Sequence, residues 1–119
     1  MASGPESVSG FEIEALRRAG AVVVRVAGEV DLAAVPWLRR FLARALADRP
    51  ALLVVDLSGV EFLGIRAVSE LVRARRAAGE ATQVRVVAPG GASLRPLTLA
   101  GVTREVSVTA TLAQALADR

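Results

Sequence analysis

Apolar and polar positions alternate over most of Phe11-Glu-Ile-Glu-Ala-Leu16, the period-two pattern of a half-buried strand. Ala19-Gly20 marks a tight turn, and the β-branched run Ala21-Val-Val-Val-Arg-Val-Ala27 predicts a second strand, antiparallel to the first across a hairpin and ended by Gly28-Glu29. The period then changes. Pro36 suits the first turn of a helix, and Leu38, Phe41, Leu42, Ala45 and Leu46 recur on one helical stripe with Arg39, Arg40 and Arg44 outside it. Asp48-Arg-Pro50 stops that helix. Leu52-Leu-Val-Val-Asp56 is a continuous apolar run, as expected of a central strand covered on both faces, and Leu57-Ser-Gly59 is expected to turn the chain. A second helix is predicted from about Ile65 to Ala78, with Val68, Leu71 and Val72 inward. Val84-Arg-Val-Val-Ala88 is a further strand, Ala92 to Ala100 a short helix with Gly101 at its C-terminal end, Val106 and Val108 a short edge strand, and Thr111 to Ala117 a last helix. The order predicts an α/β fold: a mixed four- to five-stranded sheet packed against about four helices.

The chain has 119 residues, which suits one domain. Residues 1–10 are small and polar, unlike a signal peptide, and are expected to form a flexible N-terminal tail ahead of a single domain spanning 11–119. No apolar run approaches the roughly 18 residues needed to span a bilayer, which points to a cytoplasmic protein without direct membrane insertion.

Composition narrows the chemistry. The sequence has no cysteine and no histidine, and all 15 basic residues are arginine. Thiolate chemistry, Cys- or His-ligated metals, the commonest general base and a lysine phosphate loop are thereby removed. No cofactor or metal is implied, and the chain does not read as an enzyme. The net charge of +3 is ordinary for a soluble domain, so nucleic acid is not an expected partner. Asp31 and Asp56 are the two acids expected at strand ends, where ligand sites gather in such folds; the simpler role for each is to cap a turn or the following helix.

Several segments resemble the STAS family, named for sulfate transporters and anti-sigma factor antagonists. Gly28-Glu-Val-Asp-Leu-Ala33 before a Pro-led helix is similar to its G-E-L-D-L-A segment, and Leu53-Val-Val-Asp-Leu-Ser-Gly-Val-Glu-Phe-Leu63 to its V-L-D-L-S-G-V-x-F-L strand and turn. Val84-Arg-Val-Val-Ala-Pro89, Leu99-Ala-Gly-Val102 and Thr111-Leu-Ala-Gln-Ala-Leu116 follow in the family's order. The resemblance implies a non-enzymatic regulator of the anti-sigma factor antagonist type, whose protein partner is an anti-sigma factor or serine kinase. It also implies a docking surface at Asp31, Gly64, Ile65, Arg66 and Ala67. Two alternatives stand beside it: an accessory subunit of a lipid-transport ABC ATPase, a role STAS domains also serve, and a small-molecule or nucleotide sensor, whose pocket would lie at the Asp31/Asp56 strand ends.

The sequence departs from the family where the kinase acts. The family carries D-S-[ST]-G after F-L; here Gly64-Ile65-Arg66-Ala67 follows Phe62-Leu63, and Arg66 occupies the phosphoacceptor position. A gapped alignment deleting the triplet also leaves no hydroxyl there; the ungapped one keeps Val68, Leu71 and Val72 on the family's buried positions. Ser69, one turn further, reads as a small residue permitting helix packing. A cation in the first turn opposes the helix dipole, and Glu70 is placed to offset it. Arg66 reads either as a solvated surface arginine or as a contact to an acidic or phosphorylated partner. Trp37, at the edge of the first helix's buried stripe, is expected to seal the core.

Overall fold

The computed structural model describes residues 3–8 and 10–117. Six strands form one mixed sheet in sequence order: β1 (Ser3–Val8), β2 (Phe11–Arg18), β3 (Ala21–Val30), β4 (Leu52–Leu63), β5 (Gln83–Val87) and β6 (Ser107–Thr109). The β1/β2 and β2/β3 pairs are antiparallel, and the three later pairs are parallel. The crossovers are α1 (Val35–Ala47), α2 (Ile65–Ala78), and α3 (Gly91–Leu99) with a 3-10 turn at Val102–Arg104; α4 (Leu112–Ala117) closes the described chain.

The α/β class and the four helices agree with the sequence pattern, and the sheet has six strands rather than four or five. The additional strand is β1, within the stretch read as a tail; Met1, Ala2 and Ser9 lie outside the described residues. Its Glu6 pairs with Ile13, a contact that its own polar, aperiodic sequence does not signal.

Helices α1, α2 and α3 cover one side of the sheet. Leu38, Phe41 and Leu42 of α1, Val68 and Leu71 of α2, and Leu97 of α3 bury against Val24, Val26, Leu53, Val55 and Val86. The other side is covered by α4, whose Ala115 joins Ala21, Val23, Leu52, Val54 and Val87 in a smaller cluster. Strands β3 and β4 are therefore buried on both sides along their first halves, which is why their sequences are continuous rather than alternating.

The strand read as ending at Asp56 continues to Leu63. Pairing with β3 slips by one residue between Arg25 and Ala27, and again between Gly28 and Glu29, with the extra residue on β4 each time. Bulges of this kind bend a strand and re-aim its side chains. Leu57, Val60 and Leu63 all reach the helix-side core at a spacing of three instead of two. The turn-like Leu57-Ser-Gly59 is the first bulge, not a turn. Its geometry is held by Asp56, whose Oδ1 accepts hydrogen bonds from the Ser58 backbone N–H (3.0 Å) and hydroxyl (2.6 Å).

Candidate functional site

The parallel strands β3 and β4 end side by side, and each leads into a helix. After Val30 the chain makes a short turn in which Asp31 Oδ1 accepts from the Ala33 N–H (3.1 Å) and the Asp31 carbonyl from the Ala34 N–H (3.1 Å). Asp31 thus caps the turn rather than α1, whose N-cap Ala34 makes no side-chain cap bond. Gly64 joins the two strand ends: its N–H donates to the Val30 carbonyl (2.9 Å), and its own carbonyl accepts from Val68 N–H to start α2. A Cβ at Gly64 would lie 3.2 Å from the Val30 oxygen, so the junction is tight.

An open depression of about 420 Å³ lies over this junction, lined by Asp31, Leu32, Phe62, Gly64, Ile65, Arg66 and Ala67. All five docking residues named from the sequence surround it. Ile65 and Arg66 are exposed, Asp31 is exposed, Gly64 is half-buried, and Ala67 forms the floor and is fully buried. Sequence reasoning missed Leu32 and Phe62, which are 69% and 52% exposed; with Ile65 at 71% they make an apolar rim. Large apolar side chains are thus clustered in the open at one end of the domain, a feature that a soluble domain seldom leaves without a use. Phe62 points outward because the second β4 bulge moves Leu63 into the core position instead.

Arg66 projects from the first turn of α2, which contains no acidic residue. Glu70 is not its counterion. Glu70 is buried (7% exposed) and receives two hydrogen bonds from Arg39 of α1, Nε to Oε1 at 3.1 Å and Nη2 to Oε2 at 2.7 Å. This fork clamps α1 to α2. The Arg39 hydrogen bonds hold the Glu70 carboxyl below the ordinary glutamate range, against the opposing effect of burial. Arg39 lies on the outer side of α1, as the stripe predicts, and its guanidinium also serves this structural clamp. Ser69 is exposed, and its hydroxyl donates back to the Ile65 carbonyl (3.2 Å), so it does not serve helix packing. Trp37 is half-buried against the core, with the Arg40 guanidinium 5.3 Å from its ring centre.

Asp56 does not share the site. It lies in the middle of β4, buried, with Oδ1 held by Ser58 and Oδ2 3.8 Å from Arg25 Nε. A ligand pocket shared by Asp31 and Asp56 is therefore not formed, because β4 continues seven residues past Asp56 to reach the end where Asp31 sits. Among the described residues, no helix is long and apolar enough to cross a membrane.

This arrangement, a mixed sheet with paired helix N-termini at the ends of two parallel strands, is that of a STAS domain. Residues 12–115 match the STAS domain family, and the chain belongs to it. It is 32% identical over 114 residues to the anti-sigma-F factor antagonist RsfB of Mycobacterium tuberculosis, covering 96% of this chain and 91% of that protein. The crystal structure of an anti-sigma factor antagonist from Mycobacterium paratuberculosis superimposes with a TM-score of 0.86 at 36% identity, covering 96% of this chain and 95% of the other. The Bacillus cell fate determinant SpoIIAA in its phosphorylated form shares the fold, with a TM-score of 0.66 at 18% identity, over 89% of this chain and 96% of that one. The two mycobacterial relatives are both named as anti-sigma factor antagonists.

Proposed function

We propose that this protein is an anti-sigma factor antagonist that binds an anti-sigma factor, of the serine kinase type, through the end of the domain formed by Asp31, Leu32, Phe62, Gly64, Ile65 and Arg66. The observation that carries the reading is the exposed Leu32–Phe62–Ile65 rim around the Gly64 junction, in a chain related over nearly its whole length to proteins named as such antagonists. An apolar centre with a polar border is the composition of a protein–protein contact. The work of such a surface is recognition, and in this reading the protein acts in the cytoplasm beside its partner.

Arg66 stands where the family's acceptor hydroxyl belongs, so the partner's kinase activity has no substrate at this position. A phosphate there would add nearly two negative charges in the middle of the docking surface; a fixed arginine cannot acquire them. The protein is accordingly a permanently competent binder, released by competition or turnover rather than by phosphorylation.

The experiment is a binding and phosphorylation assay on each anti-sigma factor of the source organism, purified, with wild type and Arg66→Ser in parallel and ATP added after binding. The expected result is that one kinase retains wild type without modifying it, while Arg66→Ser is phosphorylated at residue 66 and released. Failure of every anti-sigma factor to bind either form refutes the antagonist role. Phosphorylation of wild type refutes the permanent state.

A further inference from the structure

We propose that the groove beside α2, between that helix and the α3–3-10 segment, receives an acidic amphipathic helix of the protein partner. This deepens the reading above and rests on it for the partner's identity.

The first support is charge. Helix α1 carries three arginines, α2 four and α3 one, eight in all, against a single carboxylate, Glu70. Glu70 is buried and already neutralised by Arg39. The rest of the chain holds the other seven arginines and eleven carboxylates. The three helices thus carry +7 in a protein of net charge +3, with an excess of acid in the rest of the chain, of which Glu105 is the one carboxylate lining the groove. Such an asymmetry orients an anionic partner before contact and speeds its association.

The second support is the shape and lining of the groove. It encloses about 750 Å³ and runs along α2 from Ile65 to Ala77, about 18 Å of helix. Its floor is apolar, with Val68 and Val102 buried and Val72 half-buried. Arg73 and Arg76 stand along it, and Ala77 and Ala100 leave room for a close approach. Arg76 reaches Glu105 at 3.5 Å, whereas Arg66 and Arg73 make no ion pair among the described residues. Ile65 lines both this groove and the depression at the strand ends, so the two surfaces are continuous.

An apolar floor bordered by Arg73, which makes no ion pair among the described residues, and by Arg76, whose exposed guanidinium is held only at 3.5 Å by Glu105, fits a helix with leucine-like residues on one side and carboxylates on the other. It fits a nucleic acid poorly. The aromatic residues on these three helices, Trp37 and Phe41, pack against the core, so the helices offer no platform for base stacking.

The test uses the full chain, isotope-labelled for amide NMR, and a capped 14-residue helical peptide with leucines on one side and glutamates on the other. A lysine-for-glutamate peptide and a single-stranded oligonucleotide of matching charge serve as further arms. The glutamate peptide is expected to shift the amides of Val68, Val72, Ala100 and Val102, with affinity falling as salt rises. Arg73→Glu should weaken it roughly tenfold, counting a lost pair and a new repulsion, and Arg44→Glu, on the far helix, about twofold or less. Absent shifts, equal binding of the lysine peptide, equal loss from both variants, or the oligonucleotide binding the same residues as tightly would each overturn the groove. An anti-sigma factor that bound wild type and Arg73→Glu equally would overturn the groove and leave the antagonist role standing. Peptide binding by a chain that no anti-sigma factor recognises would remove the antagonist role alone.

Discussion

Gly28→Ala tests the joint that delivers β3 to the docking end. Gly28 has φ +87°, in the left-handed region, and a Cβ there would penetrate the Gly10 carbonyl oxygen and lie 3.0 Å from the Gly10 carbonyl carbon. The oxygen cannot withdraw freely, because it accepts the Glu29 N–H at 2.7 Å. The backbone conformation alone costs an L-residue about 1–2 kcal/mol. Displacing the Gly10 carbonyl adds about 1–3 kcal/mol of overpacking, and weakening its hydrogen bond about 0.5–1.5 kcal/mol. A loss of about 3 kcal/mol or more follows. Gly101 supplies the backbone-angle part alone: its φ is +77°, but nothing lies within 4 Å of its missing Cβ, so Gly101→Ala should cost only about 1–2 kcal/mol. At about 4 °C per kcal/mol for a chain of this size, thermal unfolding followed by circular dichroism should show a drop of roughly 12 °C for Gly28→Ala and about 4–8 °C for Gly101→Ala. Equal losses would refute the claim that Gly28 is required by close approach of the β2 turn and not by its backbone angle alone.

Other consequences are open to direct measurement. Because Arg39 depresses the Glu70 carboxyl, that pair's stabilisation is fully present above the ordinary glutamate value of about 4.3 and is lost as pH falls through the lower folded value. Urea midpoints measured from pH 7 down to pH 3 should fall more steeply for wild type than for Glu70→Gln over that acid range; parallel curves would contradict it. Phe41→Ala, which empties one of the largest fully buried positions, should cost about 3–5 kcal/mol in urea unfolding. Leu32→Ser, at an exposed site, should change stability by about 0.5 kcal/mol or less while weakening partner binding several-fold in a calorimetric titration.

Much of this architecture is legible from periodicity, and the exceptions have definite causes. The stripes Leu38-Phe41-Leu42-Ala45 and Val68-Leu71 announce α1 and α2 because each helix buries one side only. The continuous run Leu52–Val55 announces a doubly covered strand. The second half of β4 is hidden because two bulges replace the period-two pattern with a spacing of three, so Leu57-Ser-Gly59 imitates a turn. The same bulges turn Phe62 outward, which no rule of alternation foresees. Glu70 has a plausible local partner in Arg66, yet the fold supplies Arg39 from 31 residues away, a pairing that only helix packing determines. The proposed docking residues Asp31 and Gly64–Ala67 could be named from motif resemblance. Their convergence depends on the Gly64 N–H bond to Val30, which the sequence does not express.

The central claim is that the apolar rim at the β3 and β4 ends is the binding surface. Its most direct test is the affinity of Ile65→Asp for the anti-sigma factor that binds wild type, measured by calorimetry alongside the thermal midpoint. Ile65 is 71% exposed, so the account predicts an unchanged midpoint and a loss of affinity of roughly a hundredfold, as for a central contact residue replaced by a charge. Equal affinity of the two proteins would show that the partner docks elsewhere.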